Sequence, residues 1–316
     1  MALSETNTFT VTKNEIIELA FARLGVISEG ATLTAYQVNR GSQLLNIMIK
    51  SWLAKGFRLW KTGRATLFLD SSTNEYILGT ANATKSYVNT TLSSSASSSD
   101  SSIEVTSASG LAVGNYIGIT QNNNTILWTT ISSISSTTIG LDSSLTSDAS
   151  SGNNVYVYET KLGKVENIIN AQLKMNSTTE IPLQLNSRDT YDAEPVKTLQ
   201  GIPNKIYYNK LLSSGIVRLF PQPSSVNYIV NLTYQEQFYD MTNPTDDFDF
   251  PAEWFKALYL NLAVHLYGFY PISDQGQIQL LIAESENALR EAASFDDENT
   301  SIYFTPATDT NRGDYA

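Results

Sequence analysis

The sequence predicts an α+β fold: a four-helix bundle built from N- and C-terminal helix pairs, with strands and an inserted small β-sandwich or barrel domain between them. Three observations support this prediction. Apolar residues recur at helical spacing near both ends of the chain, and a two-residue period replaces that spacing after residue 63. A serine- and threonine-rich stretch in the middle still carries many β-branched and aromatic residues.

The overall composition narrows the classes of function. A chain of 316 residues with 41% hydrophobic content can bury one large core or two modest ones. The formal net charge of −11 argues against a protein that grips phosphate backbones. The absence of cysteine removes thiolate catalysis, disulfides and sulfur-ligated metals. No signal-peptide pattern opens the chain, and no window approaches the roughly 18 apolar residues of a membrane span, so we expect a soluble protein.

Two helices are predicted in the N-terminal region, residues 1–63. A capping box from Thr12 to Glu15 begins the first helix, and a second box from Thr34 to Gln37 begins a longer one. Apolar residues on one face of the longer helix are expected to line the core of the bundle. These residues are Leu45, Met48 and Trp52.

The middle of the chain is predicted to be β-structure. Residues 64–83 and 160–245 contain short alternating segments, and residues 84–159 between them are interpreted as an inserted β-domain. Within that insert, "SIEVTS", "NYIGIT", "TILWTTISSI", "TTIGL" and "NVYVYE" are separated by polar turns. A disordered linker is the alternative, but such linkers have few β-branched and aromatic residues.

A second helix pair is predicted over residues 246–294. Acidic residues precede Pro251 in "DDFDFPAEWF", and both features favour the start of a helix. The helix that follows is apolar over most of its circumference, so it must be buried on more than one side. The predicted core residues of this pair are Trp254, Leu258, Leu262 and Leu281.

No catalytic or metal-binding pattern is recognisable in the sequence. His265 is the only histidine, and no nucleophile-elbow glycines accompany it. The aspartates before Pro251 lack the turn glycine and the final glutamate of a calcium loop. The tripeptide Arg312-Gly313-Asp314 matches a short adhesion motif, but three residues in a polar tail match by chance. We therefore expect a protein that is not an enzyme and that has no cofactor and no metal.

The last segment, residues 295–316, is predicted to be an extended docking arm. Its "SIYFTP" stretch places apolar side chains beyond the last helix, where no core of their own is available. Burial on another subunit would remove them from water, and a frayed terminus is the alternative. The residues expected to dock are Ile302, Tyr303, Phe304 and Pro306.

These features together resemble one protein family. The segments "TKNEIIELAFARLGV", "YQVNRGSQLLNIMIKSWLAKGFRLW", "GIVRLFPQP" and "DFDFPAEWFKALYLNLAVHLYGFY" are similar to the head-to-tail (portal) adaptor proteins of short-tailed bacteriophages, also called tail tubular protein A. The insert at residues 84–159 is larger than in compact members of that family.

The resemblance implies a non-enzymatic virion protein of the neck and tail, assembled in the host cytoplasm. Such a protein forms a homo-oligomeric ring, typically of twelve copies, beneath the portal protein. Its C-terminal arm reaches the portal, its lower face receives the tail nozzle protein, and genomic DNA passes through its lumen without specific binding. The acidic net charge agrees with a channel wall that does not hold DNA during ejection.

Two other classes of function remain open. A tail-associated, β-rich module could bind host glycans, with Trp128, Tyr156 and Tyr158 stacking on sugars, although core packing is the commoner fate of such residues. A hydrolase that uses paired carboxylates is the third, and no sequence pattern nominates such a pair.

Overall fold

The computed structural model describes residues 11–27, 31–55, 61–176, 178–236, 250–271 and 274–295. The chain forms two compact units. One combines Met1–Trp60 with Tyr239–Ala316, and the other is the continuous segment Lys61–Phe238. In their described parts, the first unit is helical and the second is almost entirely β.

The described residues contain five α-helices. They are α1 (Lys13–Arg23), α2 (Ala35–Ala54), α3 (Arg188–Asp192), α4 (Phe255–Tyr267) and α5 (Gln275–Phe295). Both predicted capping boxes are confirmed: the Thr12 N–H donates to the Glu15 carboxylate at 2.7 Å, and the Thr34 N–H donates to the Gln37 side chain at 2.9 Å. A short 3-10 turn, Ala252–Trp254, leads into α4.

Helix α4 is the central element of the helical unit, because it packs against α1, α2 and α5. The Trp254 ring meets the Trp52 ring of α2 with centroids 5.7 Å apart. The Asn261 side chain donates to the backbone carbonyl of Ser285 on α5 at 3.1 Å. The seven residues expected in the core are all buried: Leu45, Met48, Trp52, Trp254, Leu258, Leu262 and Leu281.

The β unit contains seventeen strands in its described residues. The first nine are β1 (Thr62–Phe68), β2 (Glu75–Leu78), β3 (Ala83–Thr84), β4 (Val88–Thr91), β5 (Ser102–Glu104), β6 (Tyr116–Thr120), β7 (Ile126–Ser135), β8 (Thr138–Leu141) and β9 (Asn154–Tyr158). The others are β10 (Asn167–Lys174), β11 (Glu180–Pro182), β12 (Gln184–Leu185), β13 (Gln200–Gly201), β14 (Lys205–Lys210), β15 (Gly215–Phe220), β16 (Gln222–Pro223) and β17 (Ile229–Gln235).

Two sheets enclose the main β core. The first has the order β11-β10-β17-β1-β3, and the second has the order β12-β14-β15-β2. Strands alternate between core and solvent, so that Ala65 and Leu67 of β1 point inward with Val217 and Leu219 of β15. The side chains of the first sheet that face away from this core are therefore available for other contacts. A further, small sheet consists of the two strands β13 and β16.

The six-stranded sheet β4-β9-β6-β7-β8-β5 is called the β module here. It encloses a separate apolar core. Its two outer strands, β4 and β5, are connected by the backbone pairing of Leu92 with Val105, which are the residues directly after them. The chain enters and leaves the module at one point, because Thr84 pairs with Lys161 and its hydroxyl donates to the Thr160 carbonyl at 2.8 Å. The five strand segments predicted in this region coincide with β5 to β9.

An aromatic junction joins the β module to the first sheet. Phe68 of β1 lies at its centre, with ring centroids 4.5 Å from Tyr156, 5.1 Å from Tyr87 and 5.3 Å from Trp128. The Ile126 N–H also donates to the Asp70 carboxylate at 2.6 Å across this junction. The full set is Phe68, Tyr87, Tyr116, Ile126, Trp128, Tyr156, Tyr158, Val226 and Ile229.

The predicted fold class, a four-helix bundle with strands and an inserted domain between its helix pairs, is wrong. The protein is mostly β, and its larger unit has several sheets and its own cores, so the β-structure is not an excursion from a helical body. The prediction gave too much weight to helical periodicity, which is a local signal. The pairing of strands such as those of Thr66 and Asn231, 165 residues apart, leaves no comparable pattern in sequence.

Candidate functional site

Nearly all of the predicted docking arm lies outside the described residues. Ile302, Tyr303, Phe304, Pro306 and the tripeptide at 312–314 lie outside the described residues. The aspartates of "DDFD" before Phe250 lie outside them as well. The role of the arm in docking therefore stays a prediction.

The three aromatic residues considered for sugar stacking belong to the aromatic junction. Tyr156 and Tyr158 are only 4% and 3% exposed, and Trp128 is half-buried. Burial raises the pKa of Tyr156 to about 12 and also raises the pKa of Tyr158, whose hydroxyl donates to the Ala81 carbonyl at 2.6 Å. These rings join two sheets and do not offer a free face to a ligand.

A polar surface lies on the outward side of the first sheet and is called the polar sheet face. Its residues occupy neighbouring positions on the three central strands, because Arg64 pairs with Thr233, Thr66 pairs with Asn231, and Asn231 also pairs with Gln172. The Thr66 hydroxyl donates to the Asn231 side chain at 3.3 Å. The face borders a cavity of about 380 Å³ lined by Arg64, Ala65, Thr66, Lys85, Asn170, Gln172, Glu180, Asn231, Leu232 and Thr233.

A second cavity, called the amide cleft, lies where the same sheet meets the β module. Its volume is about 430 Å³, and its lining residues are Tyr87, Asn89, Asn154, Tyr156, Lys174, Met175, Asn176, Asn227 and Ile229. The Asn154 amide donates to the Asn227 side chain at 3.2 Å, which links the module to the loop before β17. The Asn176 side-chain oxygen accepts the N–H groups of Thr178 and Thr179 at 2.9 and 2.7 Å. Side-chain amides therefore surround this cleft on both sides.

The two cavities lie on one side of one sheet. Ile229 of the amide cleft is two residues from Asn231 on β17, and Lys174 is two residues from Gln172 on β10. Two residues of a strand span roughly 7 Å, and they point to the same face. The cavities are therefore immediate neighbours along the strands.

Cationic side chains outnumber carboxylates in these cavities. Arg64, Lys85 and Lys174 line them together with one carboxylate, Glu180. Lys85 forms an ion pair with Glu236 at 2.5 Å, and the hydrogen bond between them raises the pKa of Lys85 and lowers that of Glu236. The surface thus has the chemistry of a binding site for polar or anionic molecules.

Other candidate chemistry is sparse in the parts of the chain that the structure describes. There, no three His, Cys, Asp or Glu side chains are grouped closely enough to hold a metal ion. No described helix combines the length and hydropathy that a bilayer crossing requires. On α4, desolvation and the charge of Lys55 lower the pKa of His265.

Comparison with protein-family models and with curated proteins gives no match. Among solved structures, the chain is similar to the Gp54 tailspike of Acinetobacter baumannii bacteriophage AP22 in complex with A. baumannii capsular saccharide, at 18% identity and a TM-score of 0.20. That likeness covers 23% of this chain and 15% of the tailspike chain.

The chain is also similar to MreC (Lysteria monocytogenes) at 10% identity and a TM-score of 0.14, over 65% of this chain and 93% of that one. Likenesses with TM-scores this low carry no argument about fold or function.

The polar sheet face and the amide cleft were not predicted from sequence. Their residues are mostly asparagine, threonine and lysine, which are common in turns and on solvated strands. The one available signal was alternation: in "GRATLF" and "VNLTYQ" the polar residues recur every second position, which places them on one face.

Proposed function

We propose that this protein is a ring-forming head-to-tail adaptor of a short-tailed bacteriophage, a structural virion component without catalytic activity. One observation supports the proposal. The helical segments that resemble the adaptor family lie at opposite ends of the sequence, and they pack into one compact unit through α4. The resemblance therefore rests on segments that act together.

The partners proposed for it follow from that role. They are further copies of the same chain in a ring, typically twelve, together with the portal protein and the tail nozzle protein. Genomic DNA would pass through the lumen, and a net charge of −11 supports passage without binding because an acidic wall repels phosphates. The location would be the neck and tail of the virion.

The arm provides the test of this proposal. Replacing Ile302, Tyr303 and Phe304 together with serine should abolish co-sedimentation with portal rings encoded by the same genome, because it removes the apolar area that the portal would bury. A control with alanine at Thr308, Thr310 and Asn311 should bind as the natural protein does. Unchanged binding by the serine variant would reject the arm as the docking element. An intact protein with no affinity for portal rings would reject the adaptor function.

A second function is favoured by a different observation: the polar sheet face and the amide cleft provide neighbouring polar cavities on the β unit. We propose as an alternative that the protein is a tail-associated module that binds host glycans. Binding of the intact protein to an array of bacterial surface saccharides would support this function. Portal-dependent ring formation without saccharide binding would support the adaptor alone.

A further inference from the structure

We propose that the polar sheet face and the amide cleft form one continuous site for a linear, carboxylate-bearing oligosaccharide. This inference rests on the glycan-binding function proposed above and names its ligand class and residues. It differs from the stacking site considered from sequence, because the buried rings of the aromatic junction serve only as one wall.

The hydrogen-bonding groups of the site suit the hydroxyls of a sugar. Each asparagine or glutamine amide offers two donors and one acceptor with two lone pairs, which matches neighbouring hydroxyls that both donate and accept. Asn89, Asn176 and Asn227 are exposed, and Asn154 is half-buried. The bond from Asn154 to Asn227 still leaves hydrogen-bonding capacity on both amides.

The shape of the site favours a chain over a single sugar. Its cavities of about 380 and 430 Å³ follow one another along β10 and β17. Arg64 pairs with Thr233 at one end and Lys174 pairs with Ile229 at the other, and these positions are four residues apart on β17. Four residues of a strand span roughly 14 Å. A linear ligand can contact both ends.

The charge of the site indicates that the ligand is acidic. Arg64 and Lys174 line the site, and the charge of Lys85 beside them is already balanced by its ion pair with Glu236. Among the described residues, no ion pair joins Arg64 or Lys174 to a carboxylate. The single lining carboxylate, Glu180, accepts a hydrogen bond from Asn231 at 3.4 Å. Carboxylates of a ligand would supply the missing partners through charge-assisted hydrogen bonds.

Single-stranded nucleic acid is a less suitable ligand. Proteins that bind it stack successive bases on exposed aromatic side chains. The aromatic residues that line this site are Tyr87, which is half-buried, and Tyr156, which is buried. Both are engaged with Phe68 in the aromatic junction. The junction therefore offers no free ring face on which a base could stack.

The experiment uses the full chain and an array of acidic and neutral bacterial capsular saccharides. Calorimetry then follows the best acidic saccharide, the same saccharide with its carboxyl groups reduced, and a single-stranded DNA. We expect the acidic form to bind more tightly than the reduced form. Lys174→Gln should weaken binding of the acidic form roughly tenfold, since one charge-assisted hydrogen bond is lost. Asn154→Ala combined with Asn227→Ala should weaken binding of both forms.

The control is Lys210→Gln, which alters an exposed lysine on β14 outside the site and should leave binding unchanged. Thermal melts of all variants establish that they are folded. If the Lys174 and asparagine variants bind saccharide with unchanged affinity, the site lies elsewhere and this inference is overturned, while the glycan-binding function stands. Equal affinity for the reduced form would overturn the acidic ligand. Binding of DNA alone, or of no ligand, would overturn both the inference and the function beneath it.

Discussion

Asp70 is a carboxylate held at the aromatic junction. Desolvation by burial raises its pKa, and the hydrogen bond from the Ile126 N–H lowers it by a smaller amount, so the net shift is upward. The folded protein therefore binds this proton more tightly than the unfolded chain does. The contribution of Asp70 to stability is most favourable below the unfolded pKa of about 3.9, and it is lost as the pH rises through the folded pKa.

Asp70→Asn should abolish the loss of stability that accompanies a rise in pH, because the amide oxygen still accepts the Ile126 N–H and carries no charge. Urea unfolding from about pH 3 to pH 7 should show the variant gaining stability relative to the natural protein as the pH rises. Asp192→Asn, at the exposed last residue of α3, is the matched control, because no burial opposes the charge of that carboxylate. A constant difference across this range would contradict the assignment.

Trp254 is completely buried and contacts both Trp52 and Phe250 by its ring. Trp254→Ala should lower the free energy of unfolding by roughly 2 to 5 kcal/mol, because it removes apolar contacts and leaves a cavity. Leu280→Ala, at a position 55% exposed on α5, should change it by less than about 0.5 kcal/mol. Chemical denaturation of the three proteins gives the comparison, and equal effects would show that α4 is not central to its unit.

At the scale of elements, the pairing of β6 with β7 depends on one glycine. Gly118 pairs with Trp128, and a Cβ at Gly118 would lie 2.5 Å from the Trp128 ring. Gly118→Ala must displace that ring and with it the contact to Phe68, at a cost of roughly 1 to 3 kcal/mol. Gly163→Ala is the control, since no atom lies within 4 Å of a Cβ placed there. Tryptophan fluorescence during unfolding measures the stability of both variants, and equal stability would contradict this packing.

The β module should fold without the rest of the chain, because its strands pair with each other and enclose their own core. A fragment of residues 84–160 is expected to give a β-type circular dichroism spectrum and a cooperative melt. Removal of the first sheet also exposes the module's share of the aromatic junction, so the fragment should bind the dye ANS more than the full chain does. A random-coil spectrum would restore the linker interpretation of this segment.

Sequence alone was sufficient where the determinants are local. The capping boxes at Thr12 and Thr34 and the strands β5 to β9 follow from residues close together in the chain. It was insufficient where partners are distant. Nothing in the segment around Asn231 indicates that it pairs with both Thr66 and Gln172, and the polar sheet face exists only because of that pairing. The core burial of Tyr156 likewise depends on Phe68, 88 positions earlier in the numbering.

At the scale of the whole molecule, the net charge predicts how the protein behaves toward DNA. A chain with 31 acidic and 20 basic residues should not retain double-stranded DNA, because few counterions can be released by its lysines and arginines. We expect no mobility shift of a duplex at low salt, near 50 mM, where electrostatic binding is strongest. A shift that disappears at higher salt would contradict passage of DNA without binding.

The single crossing point at Thr84 and Lys161 makes the β module exchangeable. The two ends of the module are already held together by backbone pairing and by the hydrogen bond from Thr84 to Thr160. A shorter or longer segment inserted there would leave the path of β3 and β10 unaltered, and its length would change the entropy of closure only slowly. Phe68, Val226 and Ile229 limit this exchange, because any replacement must cover them or leave them in water. Recombination at this point can therefore give the protein a new outer surface in one step while the remaining sheets keep their register.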